Sequence, residues 1–126
     1  MPQATLLNPQ VITQIISDTS IDMLEPLLAA FLDELVKHQQ LLTSAHTTGN
    51  IQQVAGEAHA LKSCSGTFGA ERLYQQAMQL EDNAKLANSH IALLSDDVAT
   101  VIETIEATRK HYQAYDFSEI KNAVSV

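Results

Sequence analysis

The stretch His59-Ala60-Leu61-Lys62-Ser63-Cys64-Ser65-Gly66-Thr67-Phe68-Gly69-Ala70 organises the reading of this chain. A histidine is followed three residues later by a lysine, then by small residues, then by Gly-Ala. In a helix, residues three, four and seven apart share a face. His59, Lys62, Ser63 and Gly66 would therefore line one surface, while Leu61, Ser65 and Phe68 would line another. The first surface carries a nucleophilic imidazole, a cation and a patch cleared of bulk.

The rest of the chain supplies the scaffold for such a helix. Its 126 residues suffice for one domain with a single core. Only 5% are aromatic and none is Trp, so the core must be aliphatic. Four Gly and three Pro leave long uninterrupted runs, which favours helices over strands and turns. The punctuation predicts five helical segments. Asn8-Pro9 reads as an N-cap with Pro at the first helical position, opening a short helix to about residue 17. A second helix starts near Asp22, where Asp22 and Glu25 have capping-box spacing and Pro26 is tolerable only in the first turn. Leu24, Leu27, Leu28, Phe31, Leu35 and Leu42 mark its buried stripe. Asn50 caps the third helix, with Ile51, Val54, Ala58, Leu61, Ser65 and Phe68 inward and Gly69 as C-cap. The fourth covers about 70–87, and the fifth follows Asn88-Ser89 with a three-four rhythm from Ile91 to Tyr115. The expected architecture is all-α: an antiparallel four-helix bundle with a short additional N-terminal helix. Residues 1–126 form one domain, with its core over about 9–115 and a frayed tail over about 117–126.

Charge and composition narrow the function. A net charge of −8 speaks against nucleic-acid binding and against adsorption to anionic membranes. Cys64 stands alone, so no internal disulfide forms. The first ten residues lack the pattern of a secretory signal, and no apolar run is long enough to span a bilayer. A cytoplasmic protein is the default expectation. His38, His46, His90 and His111 show no metal-ligand spacing, so no metal is expected. No Gly-rich phosphate loop is present, so no ATP site is expected either. Cys64 falls at the edge of the core stripe and reads as a small packing residue rather than a nucleophile.

Taken singly, an exposed His59 is an ordinary solvated histidine and Lys62 an ordinary surface charge. Their weight comes from position. Gly66 lies two turns beyond His59, and Ala55 and Gly56 lie one turn before it. Each helix-interior Gly costs about 1 kcal/mol relative to Ala. Close approach of another protein would account for both; tight packing inside the bundle is the alternative for Gly66. The direction of Gly66, shared with His59 and not with Leu61, speaks for approach from outside. The constellation suits a histidine that accepts and passes on a phosphoryl group. A phosphorylation-independent adaptor and a small hydrolase with His59 as general base remain as alternatives.

The run Ala58 to Ala70 resembles the signature of histidine-containing phosphotransfer (HPt) domains, roughly H-x-L-K-G-x-[AS]-x-x-[hydrophobic]-G-[AS]. Phe31-Leu32 and Leu80-Glu81 also match family positions, so the resemblance spans about 22–115. Phe68-Gly69-Ala70-Glu71-Arg72-Leu73 is similar to free-standing quorum-sensing members. Many members have Gly directly after the lysine; here it is Ser63, which bears on which partner docks best. The resemblance implies that His59 accepts the phosphoryl group, that Lys62 stabilises charge, and that Glu81 orients the ring. It implies a docking surface including Ala55, Gly56, Ser63, Gly66 and Gly69, with apolar help from Ile12, Ile15, Met23 and Leu27. Implied partners are receiver domains of a hybrid sensor kinase and of a response regulator, the receiver supplying Mg²⁺ and this chain no cofactor. A monomer is expected, because a histidine that receivers must reach does not belong in a dimer interface.

Overall fold

The computed structural model describes residues 4–87 and 90–124. Among them are six α-helices and no strand: α1 Pro9–Asp18, α2 Ile21–Thr47, α3 Ile51–Phe68, α4 Glu71–Leu86, α5 Ser95–Ala114 and α6 Ser118–Val124. A 3₁₀ turn, Ile91–Leu94, leads into α5. The expected start of the fifth helix at Asn88-Ser89 lies outside the described residues.

The four long helices form the bundle. α3 packs on α2 and α4, and α5 packs on α4 and α2, so the four close a square with α3 and α4 in the tightest contact. Turns of three residues between α2 and α3 and two between α3 and α4 make those neighbours antiparallel. The core is the aliphatic one that composition requires: Leu24, Leu35, Leu42, Val54, Leu61, Leu73, Leu80, Val101 and Ile105 are fully buried. One aromatic node ties its end. Phe31 of α2 stacks on Phe68 of α3 with centroids 4.6 Å apart, and Tyr112 of α5 lies 5.2 Å from Phe31. The Tyr112 hydroxyl donates to the Phe68 carbonyl at 2.8 Å, which satisfies a C-terminal carbonyl of α3. Burial pushes the Tyr112 phenol well above its ordinary pKa, so it stays a donor.

Capping follows the sequence at two of three helices. Asn8 accepts from the Gln10 amide and Asn50 from the Gln53 amide, both at 3.0 Å. At α2 the expectation fails. The helix begins at Ile21 behind Ser20, which makes no side-chain cap bond. Asp22 and Glu25 therefore form no capping box. Pro26 is the sixth residue of α2, past the first turn, and leaves the Asp22 carbonyl without an i+4 amide. Burial of Leu24, Leu28 and Phe31 along α2 outweighs that single lost bond.

The C-terminus also departs from expectation. Instead of a frayed tail, Ser118–Val124 forms α6, which packs on α1. Asp116 accepts from the Ser118 amide at 2.9 Å and so starts the helix. Phe117, Ile120 and Val124, at three- and four-residue steps, pack against the core, and Lys121 pairs with Glu25 at 3.1 Å. The N-terminal segment is held as well. Its Thr5 carbonyl accepts from the Arg72 amide, and the Asn8 amide donates to the Gly69 carbonyl at 2.8 Å.

Gly49 and Gly69 end α2 and α3 with positive φ, +73° and +81°. A Cβ at Gly49 would meet open space, whereas one at Gly69 would sit 2.9 Å from Val11 Cβ and 3.1 Å from the Asn8 carbonyl oxygen. Gly49→Ala should cost about 1 kcal/mol through backbone strain alone. Gly69→Ala should cost clearly more, because α1 must also shift. Paired thermal melts check this, and equal losses would contradict the packing argument.

Candidate phosphoacceptor site

The site lies on the seam between α3 and α4, the tightest contact of the bundle. Because Val54, Ala58, Leu61 and Ser65 turn inward, the opposite side of α3 carries His59, Gly56, Ser63 and Gly66 into solvent. The His59 side chain is 65% exposed. On α4, burial of Leu73, Ala77, Leu80 and Ala84 places Glu81 at the seam with its side chain 7% exposed.

Glu81 joins the parts. Its Oε2 lies 2.9 Å from His59 Nδ1, and its Oε1 accepts from Lys62 Nζ at 2.7 Å. Lys85, one turn further along α4, is ion-paired to Oε2 at 3.5 Å. The hydrogen bond from Lys62, helped by those from His59 and the charge of Lys85, outweighs burial and holds the Glu81 carboxyl down to about 2. The same hydrogen bond raises the pKa of the Lys62 ammonium. An ionised Glu81 is an acceptor only, so the contact requires a proton on Nδ1. The neutral ring then keeps its lone pair on Nε2, which has no hydrogen-bond partner among the described residues.

The structure therefore brings His59, Lys62 and Glu81 together, across 22 positions of sequence for the His59–Glu81 pair. The residues expected to surround them divide. Gly56 and Ser63 are exposed, Ala55 is half-buried, and a Cβ on Gly56 would meet nothing within 4 Å. Gly66 is exposed too, but the Tyr74 ring of α4 lies over it; a Cβ there would stand 3.2 Å from Tyr74 Cδ2. Tyr74 thus takes up part of the space beside Gly66, a contact that its direction alone does not reveal. Gly69 is buried against α1 and does not belong to the exposed surface. Of the apolar residues expected to help docking, Ile12 is fully buried, Ile15 and Leu27 are half-buried, and Met23 is exposed.

Two features escape the sequence reading. Lys85 is one; the Glu81-to-Lys85 spacing of four residues was the available signal. The other is His38, whose Nδ1 lies 2.6 Å from Glu57 and whose Nε2 lies 3.0 Å from Glu34, fastening α2 to α3. Cys64 is half-buried, and burial pushes its thiol up to about 11, which keeps it unreactive. Among the described residues no cluster of three or more His, Cys, Asp or Glu is placed to hold a metal, and no helix is long and apolar enough to cross a membrane.

Comparison with known proteins places the chain in a family. The Hpt domain family model matches residues 26–123. This chain belongs to the Hpt domain family. The phosphorelay protein LuxU of Vibrio vulnificus is 28% identical over 110 residues, covering 87% of this chain and 91% of that protein. LuxU of Vibrio cholerae is 31% identical over 86 residues, covering 68% and 74%. In fold the chain is similar to histidine-containing phosphotransfer protein B of Pseudomonas aeruginosa PAO1, with a TM-score of 0.62 and 23% identity over 87% of this chain and 99% of that one. This chain is a histidine phosphotransfer protein of a phosphorelay.

The Glu81 cluster has a pH signature. Its carboxyl titrates at about 2 in the fold against an ordinary 4.5. The ion pairs therefore stabilise the fold in full above about 4.5, and that contribution is lost as pH falls toward 2. Melting temperatures of wild type and Glu81→Gln should differ near neutral pH and converge below 4.5. A gap that stays constant with pH would show that the charge of Glu81 contributes nothing.

Proposed function

We propose that His59 is the residue that carries the phosphoryl group, accepting it from an aspartyl phosphate of one receiver domain and giving it to an aspartate of another. The observation that supports this is the division of the ring: Nδ1 engaged by the buried Glu81, Nε2 open to solvent on a side chain 65% exposed. Nε2 attacks phosphorus in line. The Nε2–P bond forms as the bond from phosphorus to the aspartate oxygen breaks, and the electron pair returns to the receiver's carboxylate. The ring becomes cationic, with its Nδ1 proton still directed at Glu81, whose negative charge favours that cation. Lys62 offers a point charge to the phosphoryl oxygens.

In this reading the chain contributes nucleophile, orientation and charge, and positioning does most of the work. The receiver brings Mg²⁺ and the acidic residues that hold it. The chain needs no ATP site, and its sequence contains no nucleotide-binding loop. The exposed Gly56 and Ser63 and the half-buried Ala55 form the surface next to His59 where a receiver settles. The proposal extends to a monomer in the cytoplasm, in the quorum-sensing setting that the sequence resemblance implies.

Incubation with a receiver domain carrying radiolabelled aspartyl phosphate tests the assignment. Wild type should gain an acid-labile, base-stable phosphate, while His59→Gln should gain none and still bind the receiver. Uptake by His59→Gln, or no uptake by wild type across a panel of receivers, would overturn it. The second outcome would leave docking without transfer as the better account.

A further inference from the structure

Lys85 has a place at the site but no step in the transfer described above. Its Nζ stands 3.5 Å from Glu81 Oε2, the oxygen that also meets His59 Nδ1, while Lys62 holds the other oxygen at 2.7 Å. The two lysines differ in freedom. The Lys85 side chain is 64% exposed and that of Lys62 26%. Lys85 also borders an open groove of about 610 Å³ between the start of α3 and the end of α4, walled by Ile51, Gln52, Ala55 and Ala84. Its ammonium has room to move.

The geometry contains a conflict. A phosphoryl group on Nε2 attracts Lys62, the cation one turn along the same helix. Lys62 is already bound to Glu81, a carboxylate 7% exposed. A buried carboxylate stripped of its cation is strongly disfavoured. If Lys62 left alone, Glu81 would pull it back or cease to hold the ring.

We propose that Lys85 is a positioning residue for phosphoryl transfer: it takes over Glu81 as Lys62 turns from Glu81 to the phosphoryl group on His59. Glu81 then keeps a cation throughout, and the ring keeps its Nδ1 acceptor before and after attack. Lys85 acts through Glu81 and need not touch phosphorus. The inference rests on His59 as the acceptor.

Single-turnover transfer from a phosphorylated receiver, measured for Lys85→Ala and Lys85→Arg in wild-type and Lys62→Ala backgrounds, tests it. Lys85→Ala should slow transfer on the order of twofold to fivefold, the upper part of the range open to an exposed ion pair. Lys85→Arg should restore it. In the Lys62→Ala background Lys85 is the lysine left to hold Glu81, so adding Lys85→Ala should cost more there than it does in the wild-type background. Nitrogen chemical shifts of His59 in unphosphorylated Lys85→Ala should still report a proton on Nδ1, because Lys62 continues to hold Glu81. A purely structural role would move that signal. Wild-type rates in Lys85→Ala, failure of Lys85→Arg to rescue, or the same fold-loss in both backgrounds would each overturn the exchange while leaving His59 as acceptor. No uptake by the wild-type control would overturn both.

Discussion

The buried Glu81 carboxylate is the constraint around which this surface is arranged. A charge removed from water at a helix seam must be met by cations and hydrogen-bond donors. Lys62 and His59 of α3 and Lys85 of α4 meet it. That requirement ties α3 to α4 at the seam, and it fixes the proton on His59 Nδ1. Nucleophilicity at Nε2 follows from a contact made on the other side of the ring.

The bundle serves this arrangement by being rigid where the site is attached. Val54, Ala58, Leu61 and Ser65 bury one face of α3, so the opposite face is held in solvent without any loop. The aromatic node of Phe31, Phe68 and Tyr112 anchors the C-terminal end of α3, and His38 with Glu57 fastens α3 to α2 two residues before His59. The site is consequently an exposed face shared by two helices, with one buried charge at their seam. Such a surface suits a reaction whose second reactant, and much of whose catalytic machinery, arrive on another protein.

Much of the fold was legible because helix periodicity and punctuation are local. Asn8-Pro9, Asn50 and Gly69 mark helix ends by chemistry that acts within three or four residues, and each does so in the structure. The three-four spacing of Val98, Val101, Ile105 and Tyr112 needs no partner to be recognised. The misreadings occur where local signals compete with distant contacts. Asp22 and Glu25 have the spacing of a capping box, but packing of Leu24 and Phe31 sets the start of α2 earlier. The tail after Tyr115 looks weak by itself, yet Ile120 and Val124 find the core beside α1.

The sequence alone determined that α3 presents His59, Lys62 and Ser63 on the side opposite its apolar stripe, because side-chain direction along a helix follows from spacing. It also excluded a disulfide within these 126 residues, since Cys64 is their single cysteine. Tertiary structure decided the rest. Gly66 accommodates Tyr74, Gly69 is shut behind Val11, and Lys62 is bound to Glu81 instead of free in solvent. These depend on how α1 and α4 sit against α3, across separations of 19 residues for Lys62 and Glu81 and 22 for His59 and Glu81. Spacing within one helix says which way a side chain points; only packing between helices says what it meets there.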